Sequence, residues 1–219
     1  MRSDPRVGAA KPEKRTWQQM VAKYQNPSLQ RSMWQVANTL IPYFVLLTLM
    51  YVSLSYSYWI TLALALPAGG LLTRSFIIFH DCGHGSFFKS REINDYVGRA
   101  MSLFTLAPYG LWRREHAQHH ATSGNLDKRG SGDIDTLTVA EYQALSPLKK
   151  LRYKIYRNPV VLFGLGVPSY FQLIQRTPWL HAVTPRESIP SVMGLNLAIL
   201  LFYGPLCYVF GLEIGRAHV

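Results

Sequence analysis

The 219-residue chain is 48% apolar and 16% charged, which excludes a disordered chain, and its two cysteines, Cys82 and Cys207, cannot staple a secreted disulfide scaffold. The net charge of +11, from 23 basic and 12 acidic residues, suits either nucleic acid or the cytoplasmic face of a bilayer. The bilayer is the reading that fits. The 42 residues from Ser32 to Thr73 and the 25 from Ser188 to Leu212 contain no Asp, Glu, Lys, Arg or His, and a span needs about 20 such residues.

The first 31 residues hold seven basic and two acidic side chains. They are expected to form a basic cytoplasmic segment (1–31), as the positive-inside rule requires of a stretch that flanks a span. No short apolar core with a small-residue cleavage site marks a secretory signal. Trp17, Met20, Val21 and Tyr24 recur at helical spacing, which fits a helix lying on the membrane or an ordinary packed helix. Asn26-Pro27 breaks it, and Ser28 is a suitable N-cap for the next helix.

As one helix, the first uncharged run would reach roughly 63 Å, about twice the hydrocarbon thickness. It should therefore fold back as a transmembrane hairpin over 32–79. The expected spans are Gln35–Val52 and Tyr58–Phe79, with the turn at Ser53–Ser57 amid Tyr51, Tyr56, Tyr58 and Trp59. Arg74 is placed to snorkel to the headgroups. Residues 80–157, with short helices separated by loops at Gly124, Gly130 and Gly132, form the expected cytoplasmic metal-binding region. Residues 158–176 are apolar but short and broken by Pro159, Gly164, Gly166 and Pro168, so they read as interfacial or re-entrant. A third transmembrane helix is expected over 189–212. The fold class is thus an all-α membrane protein, transmembrane helices with a cytoplasmic helical cap.

The histidines carry the chemistry. Five of seven, His80, His84, His116, His119 and His120, fall between positions 80 and 120. His80 and His84 are four apart and share a helix face. His116 and His120 do the same, with His119 beside them. Neutral imidazole ligates iron, zinc, copper and nickel, and this spacing lets one helix offer two or three nitrogens to one point. No histidine pair brackets a glutamate as a zinc protease requires, and two cysteines cannot build a thiolate zinc site. Non-haem iron is the leading candidate. Cys82 points off the histidine face and reads as a small packed residue. Asp81 and Glu115 each adjoin a histidine and are either orienting partners or solvated acids. His181, in a loop, and His218, in the tail, read as bystanders.

These strings make the chain recognisable. With His-Asp-Cys-Gly-His at 80–84 and Glu-His-Ala-Gln-His-His at 115–120, it resembles the integral-membrane fatty acid desaturases. The three residues inside the first box match the acyl-lipid type, since the acyl-CoA type has four. The string Leu111 to Gly130, Gly132-Asp133, Thr136 to Val139 and Glu141-Tyr142 are similar to the bacterial delta-12 (omega-6) branch. The resemblance runs from about Trp17 to Leu212.

It implies a pair of non-haem irons ligated by His80, His84, His116, His119 and His120, an acyl-lipid substrate, dioxygen, and an external electron donor, either ferredoxin or a b-type cytochrome. It implies an integral protein of the bacterial cytoplasmic membrane, with the N-terminus and both boxes on the cytoplasmic side and no nucleic-acid partner. A hydroxylase, epoxygenase or alkane monooxygenase shares the boxes, and a non-catalytic membrane metal-binding protein is the reading from another class. The family carries a third His-x-x-His-His box that these 219 residues lack. The native chain is therefore expected to continue beyond Leu212, with residues 213–219 an artefactual tail and the chain as written inactive.

Overall fold

The computed structural model describes residues 20–22, 26–129, 134–181 and 183–210. The expectations for the basic lead, Trp17, Tyr24, Gly130, Gly132, His218 and the tail lie outside these residues. Among the described residues every regular element is helical, in agreement with the expected all-α class.

Helix α1 (Leu29–Ser53) and helix α2 (Tyr58–His84) form an antiparallel pair joined by Leu54–Ser57. Both are long and apolar enough to cross a membrane. Ser28 occupies the N-cap of α1, although its side chain makes no capping bond. Pro42 and Pro67 sit inside these helices, where neighbouring helices and hydroxyl side chains tolerate them. The turn is locked by the Ser53 and Thr61 hydroxyls, 2.7 Å apart, and Tyr56, Tyr58 and Trp59 stand exposed around it.

Arg74, expected near the headgroups, has a partner within the hairpin. Its Nη2 donates to Asn38 Oδ1 across the hairpin at 2.8 Å. A cation within an apolar helix takes a protein partner when one lies within reach.

Helix α2 is 27 residues long. At 1.5 Å per residue it reaches about 40 Å, more than the roughly 30 Å of hydrocarbon. It ends at Gly85, whose φ of 71° is the left-handed conformation that closes a helix without a Cβ penalty. The loop that follows is stapled by buried Asn94, which accepts from Phe88 N and donates to Phe88 O and Ser90 O. Ser32 of α1 donates to Phe87 O at 2.6 Å, tying the start of α1 to the end of α2.

Helices α3 (Arg91–Thr105) and α4 (Tyr109–Thr122) then fold back onto α2. Ser90 caps α3 through Ile93 N. Short helices α5 (Val139–Ala144) and α6 (Pro147–Tyr156) follow. A Thr138–Glu141 capping box opens α5, and Arg129 grips both Glu141 oxygens at 2.9 and 3.1 Å.

Helices α7 (Pro159–Val161) and α8 (Val167–Gln172) are joined by a π-helical stretch, Leu162–Gly166. Helix α9 (Pro185–Phe210) is the third element able to cross a membrane, and it packs on α3 and α4. The core gathers Tyr43 and Met50 of α1, Ile78 and Phe79 of α2, Phe104 of α3, and Tyr109 and Trp112 of α4.

Candidate metal centre

The site is built where the last turn of α2 meets α4. Two tethers hold that crossing. Tyr109 Oη lies 2.8 Å from Cys82 O and 2.9 Å from Asp95 Oδ1, so its single O–H proton is shared between the two acceptors. Asp95 also accepts from Arg113 Nη1 at 2.8 Å, so α3 is pinned to α4 by a shared carboxylate. Burial and the Asp95 bond push the Tyr109 phenol up to about 12, so it remains a donor at any physiological pH. Gly98 makes the approach possible, since a Cβ there would overlap the Tyr109 ring.

Against this frame, His80 and His84 from α2 meet His116 and His120 from α4. One ligand nitrogen from each lies within 4.8 Å of all the others. The Nε2 atoms of His80, His84 and His116 form a triangle with sides of 3.2, 3.1 and 3.0 Å. His120 Nε2 lies 3.1 Å from His116 Nε2. An imidazole nitrogen is either an N–H donor or a lone-pair acceptor, so around a triangle at least one side must pair two of a kind. Hydrogen bonding alone does not explain the convergence, whereas a cation that receives every lone pair does. Two imidazole ligands at roughly 2.1 Å from one ion stand about 3.0–3.4 Å apart, so the His80–His84–His116 triangle fits a transition metal.

Burial, with the neighbouring histidines, lowers His84 and His116 and so favours their neutral rings. His80 Nδ1 lies 3.0 Å from Asp81 Oδ1. The Nδ1–H donates there, which leaves the His80 Nε2 lone pair for the ion. Of the two roles open to Asp81, orientation of His80 is the one its geometry serves. His116 is pushed down to about 4, by burial first and then by the surrounding histidines.

Trp112 lies flat on His116, with ring centroids 4.3 Å apart and an 18° interplanar angle. Gly83 provides the space, because a Cβ there would stand 2.8 Å from Trp112 Cζ3. Neither Trp112 nor Gly83 was singled out by the sequence reading. The usable signal was Trp112 lying one turn before His116 on the same helix face.

The other candidates fall elsewhere. His119 stands beside the four, its ring 5.8 Å from that of His116 and 23° from parallel, but it is not among the convergent nitrogens. Cys82 is fully buried. His181 lies outside the convergent nitrogens, in line with its reading as a bystander to the metal, but it has a buried partner. Its side chain is 2% exposed, and its Nδ1 lies 2.9 Å from Glu115 Oε1. Glu115 is therefore turned toward His181, because its position on α4 faces the segment leading into α9.

The fold and site define a helical membrane protein with a four-histidine centre at the end of a membrane helix. The family model described as "Fatty acid desaturase" matches residues 53–215. The chain belongs to the fatty acid desaturase family. It is 47% identical over 191 residues to a fatty acid desaturase of Bacillus subtilis, covering 87% of this chain and 54% of that protein. It is 32% identical over 110 residues to an sn-1 oleoyl-lipid 12-desaturase of Synechocystis, covering 50% of this chain and 31% of the relative. It is 46% identical over 59 residues to an sn-1 acyl-lipid omega-3 desaturase (ferredoxin) of Synechocystis, covering 27% and 16%. The chain thus spans about half the length of the Bacillus relative and less of the others. No solved structure matches it.

Proposed function

We propose that the protein introduces a cis double bond into an acyl chain of a membrane lipid, at the delta-12 position of an oleoyl group, through a pair of non-haem irons. The observation that carries this reading is the convergence of four imidazole nitrogens at the end of an apolar helix long enough to cross the bilayer. His80, His84, His116 and His120 would hold one iron, and His119 is assigned to the second. A saturated methylene has no polar handle for acid–base attack, and bound iron supplies the dioxygen chemistry that its oxidation needs.

The chain's own residues prepare the ligands. Asp81 keeps the His80 proton on Nδ1, and Trp112 holds the plane of His116. Tyr109 fixes the crossing of α2 and α4 that brings the two pairs together. Because α2 outruns the hydrocarbon, its final turn belongs at the bilayer surface, where a lipid tail is drawn in. The basic flanks support assigning that surface to the cytoplasmic side.

The electron donor we assign is external, a ferredoxin. The omega-3 relatives in Synechocystis and Nostoc are each named sn-1 acyl-lipid omega-3 desaturase (ferredoxin). A b-type cytochrome is the alternative. The delta-12 position is supported by relatives in Synechocystis and Anabaena variabilis named sn-1 oleoyl-lipid 12-desaturase.

The test is expression of the complete gene in a host rich in oleate, with its lipids profiled by mass spectrometry. A new diene is the expected product. A hydroxylated chain would reassign the protein to the hydroxylases, and an unchanged profile would contradict desaturation.

A further inference from the structure

A second feature lies on the far side of α4 from the histidines. A cavity of about 900 Å³ opens between α3, α4 and the first half of α9. Its polar part is lined by Arg99, Arg114 and Arg186. Among the described residues the only carboxylate in its lining is Glu187, whose Oε1 lies 3.9 Å from Arg114 Nη1. Arg99 and Arg186 make no ion pair among the described residues. All three arginines are exposed.

The apolar wall is Pro190, Gly194 and Ala198, one strip at four-residue spacing on α9. From Arg186 to Ala198 the helix rises roughly 18 Å. That matches one leaflet, about half of the roughly 30 Å hydrocarbon thickness. Charges end at Glu187 and the uncharged run begins at Ser188, so the arginines sit at headgroup level and the strip descends from them. Gly194 leaves open space, with nothing within 4 Å of where its Cβ would stand. Arg114 and His116 are two residues apart, roughly 200° around α4, so an occupant of this cavity does not meet the metal centre.

We propose that this cavity holds one anionic glycerophospholipid of the surrounding leaflet, bound as a resident lipid and not as the reacting chain. Its phosphate lies among Arg99, Arg114 and Arg186, and one acyl chain runs down the Pro190–Gly194–Ala198 strip. The lipid fills the space between α9 and the α3–α4 pair that carries half of the histidines. This goes beyond the desaturase reading and does not depend on it.

The test is native mass spectrometry of the complete protein taken from vesicles of phosphatidylglycerol and phosphatidylcholine in equal parts. One phosphatidylglycerol per chain should be retained in preference to phosphatidylcholine. Each of Arg99→Gln, Arg114→Gln and Arg186→Gln should weaken retention about five-fold, and all three together roughly a hundred-fold. Gly194→Phe fills the apolar strip without touching the charges and should also expel the lipid.

Equal retention of both lipids, no retained lipid, or retention unchanged in the triple variant would overturn the proposal. Displacement by inorganic phosphate, with Gly194→Phe without effect, would overturn it in favour of a free anion. A His84→Ala protein should keep the lipid, so failure of the metal centre and failure of this site are told apart.

Discussion

Trp112 lies face to face with His116, 4.3 Å between ring centroids, and it is held there because position 83 on the neighbouring helix has no side chain. One aromatic contact thus couples the packing of α2 on α4 to the orientation of a ligand. Trp112→Ala should remove a large buried side chain, with a loss of about 3–5 kcal/mol. Metal content should fall with it, while Trp112→Phe keeps most of both. Thermal melts and metal analysis of the two variants check this.

Gly83→Ala tests the same contact from the other side. The new Cβ would meet Trp112 Cζ3 at 2.8 Å, so Trp112 must shift, and overpacking of this kind costs about 1–3 kcal/mol. Gly70→Ala is the control, since nothing lies within 4 Å of its Cβ position. It should be neutral or stabilising by up to about 1 kcal/mol, the ordinary gain of alanine over glycine in a helix. Equal melting behaviour in the two variants would mean that the glycine at 83 has no packing role.

Much of this arrangement was legible in the sequence, and the rest was not, for definable reasons. Uncharged runs mark membrane helices because an unpaired charge in hydrocarbon is costly, so α1, α2 and α9 announce themselves in the composition. Four-residue spacing places His80 with His84, and His116 with His120, because each pair lies on one helix. Nothing local says that the pairs meet. That depends on Tyr109 reaching Cys82 O and Asp95 across a gap left by Gly98. The partner of His181 lies 66 residues away and that of Arg74 lies 36 away, beyond any periodicity.

The His181–Glu115 pair is buried, with side chains 2% and 12% exposed, and links α4 to the segment before α9. Removing one member of a buried pair is more damaging than removing both. His181→Phe and Glu115→Gln should each destabilise the protein, and the double variant should lose less than the sum. A double-mutant cycle in denaturant should give a coupling of about 0.5–3 kcal/mol. A coupling of zero would mean that the two side chains do not support each other.

His116 also sets a pH dependence for the metal-free protein. Its folded pKa is lowered to about 4 from 6.5, so between those values the unfolded chain binds the proton that the folded chain refuses. Stability rises with pH wherever the unfolded state holds more protons. The contribution of His116 therefore falls as pH drops from about 6.5 to about 4 and is flat above that window. Melting temperatures of the metal-free protein across this range, compared with His116→Gln, should show the slope reduced in the variant. An unchanged slope would remove His116 as its source.

The central claim is that four imidazoles from two helices grip redox iron at the end of α2. Metal analysis of the complete protein, purified after growth in ample iron and compared with His84→Ala and His116→Ala, tests it most directly. Iron bound to the unmodified protein, lost from both variants while each still inserts into the membrane, is the result expected. Iron content that does not depend on His84 and His116, or an unmodified protein that carries zinc or no metal, would contradict it.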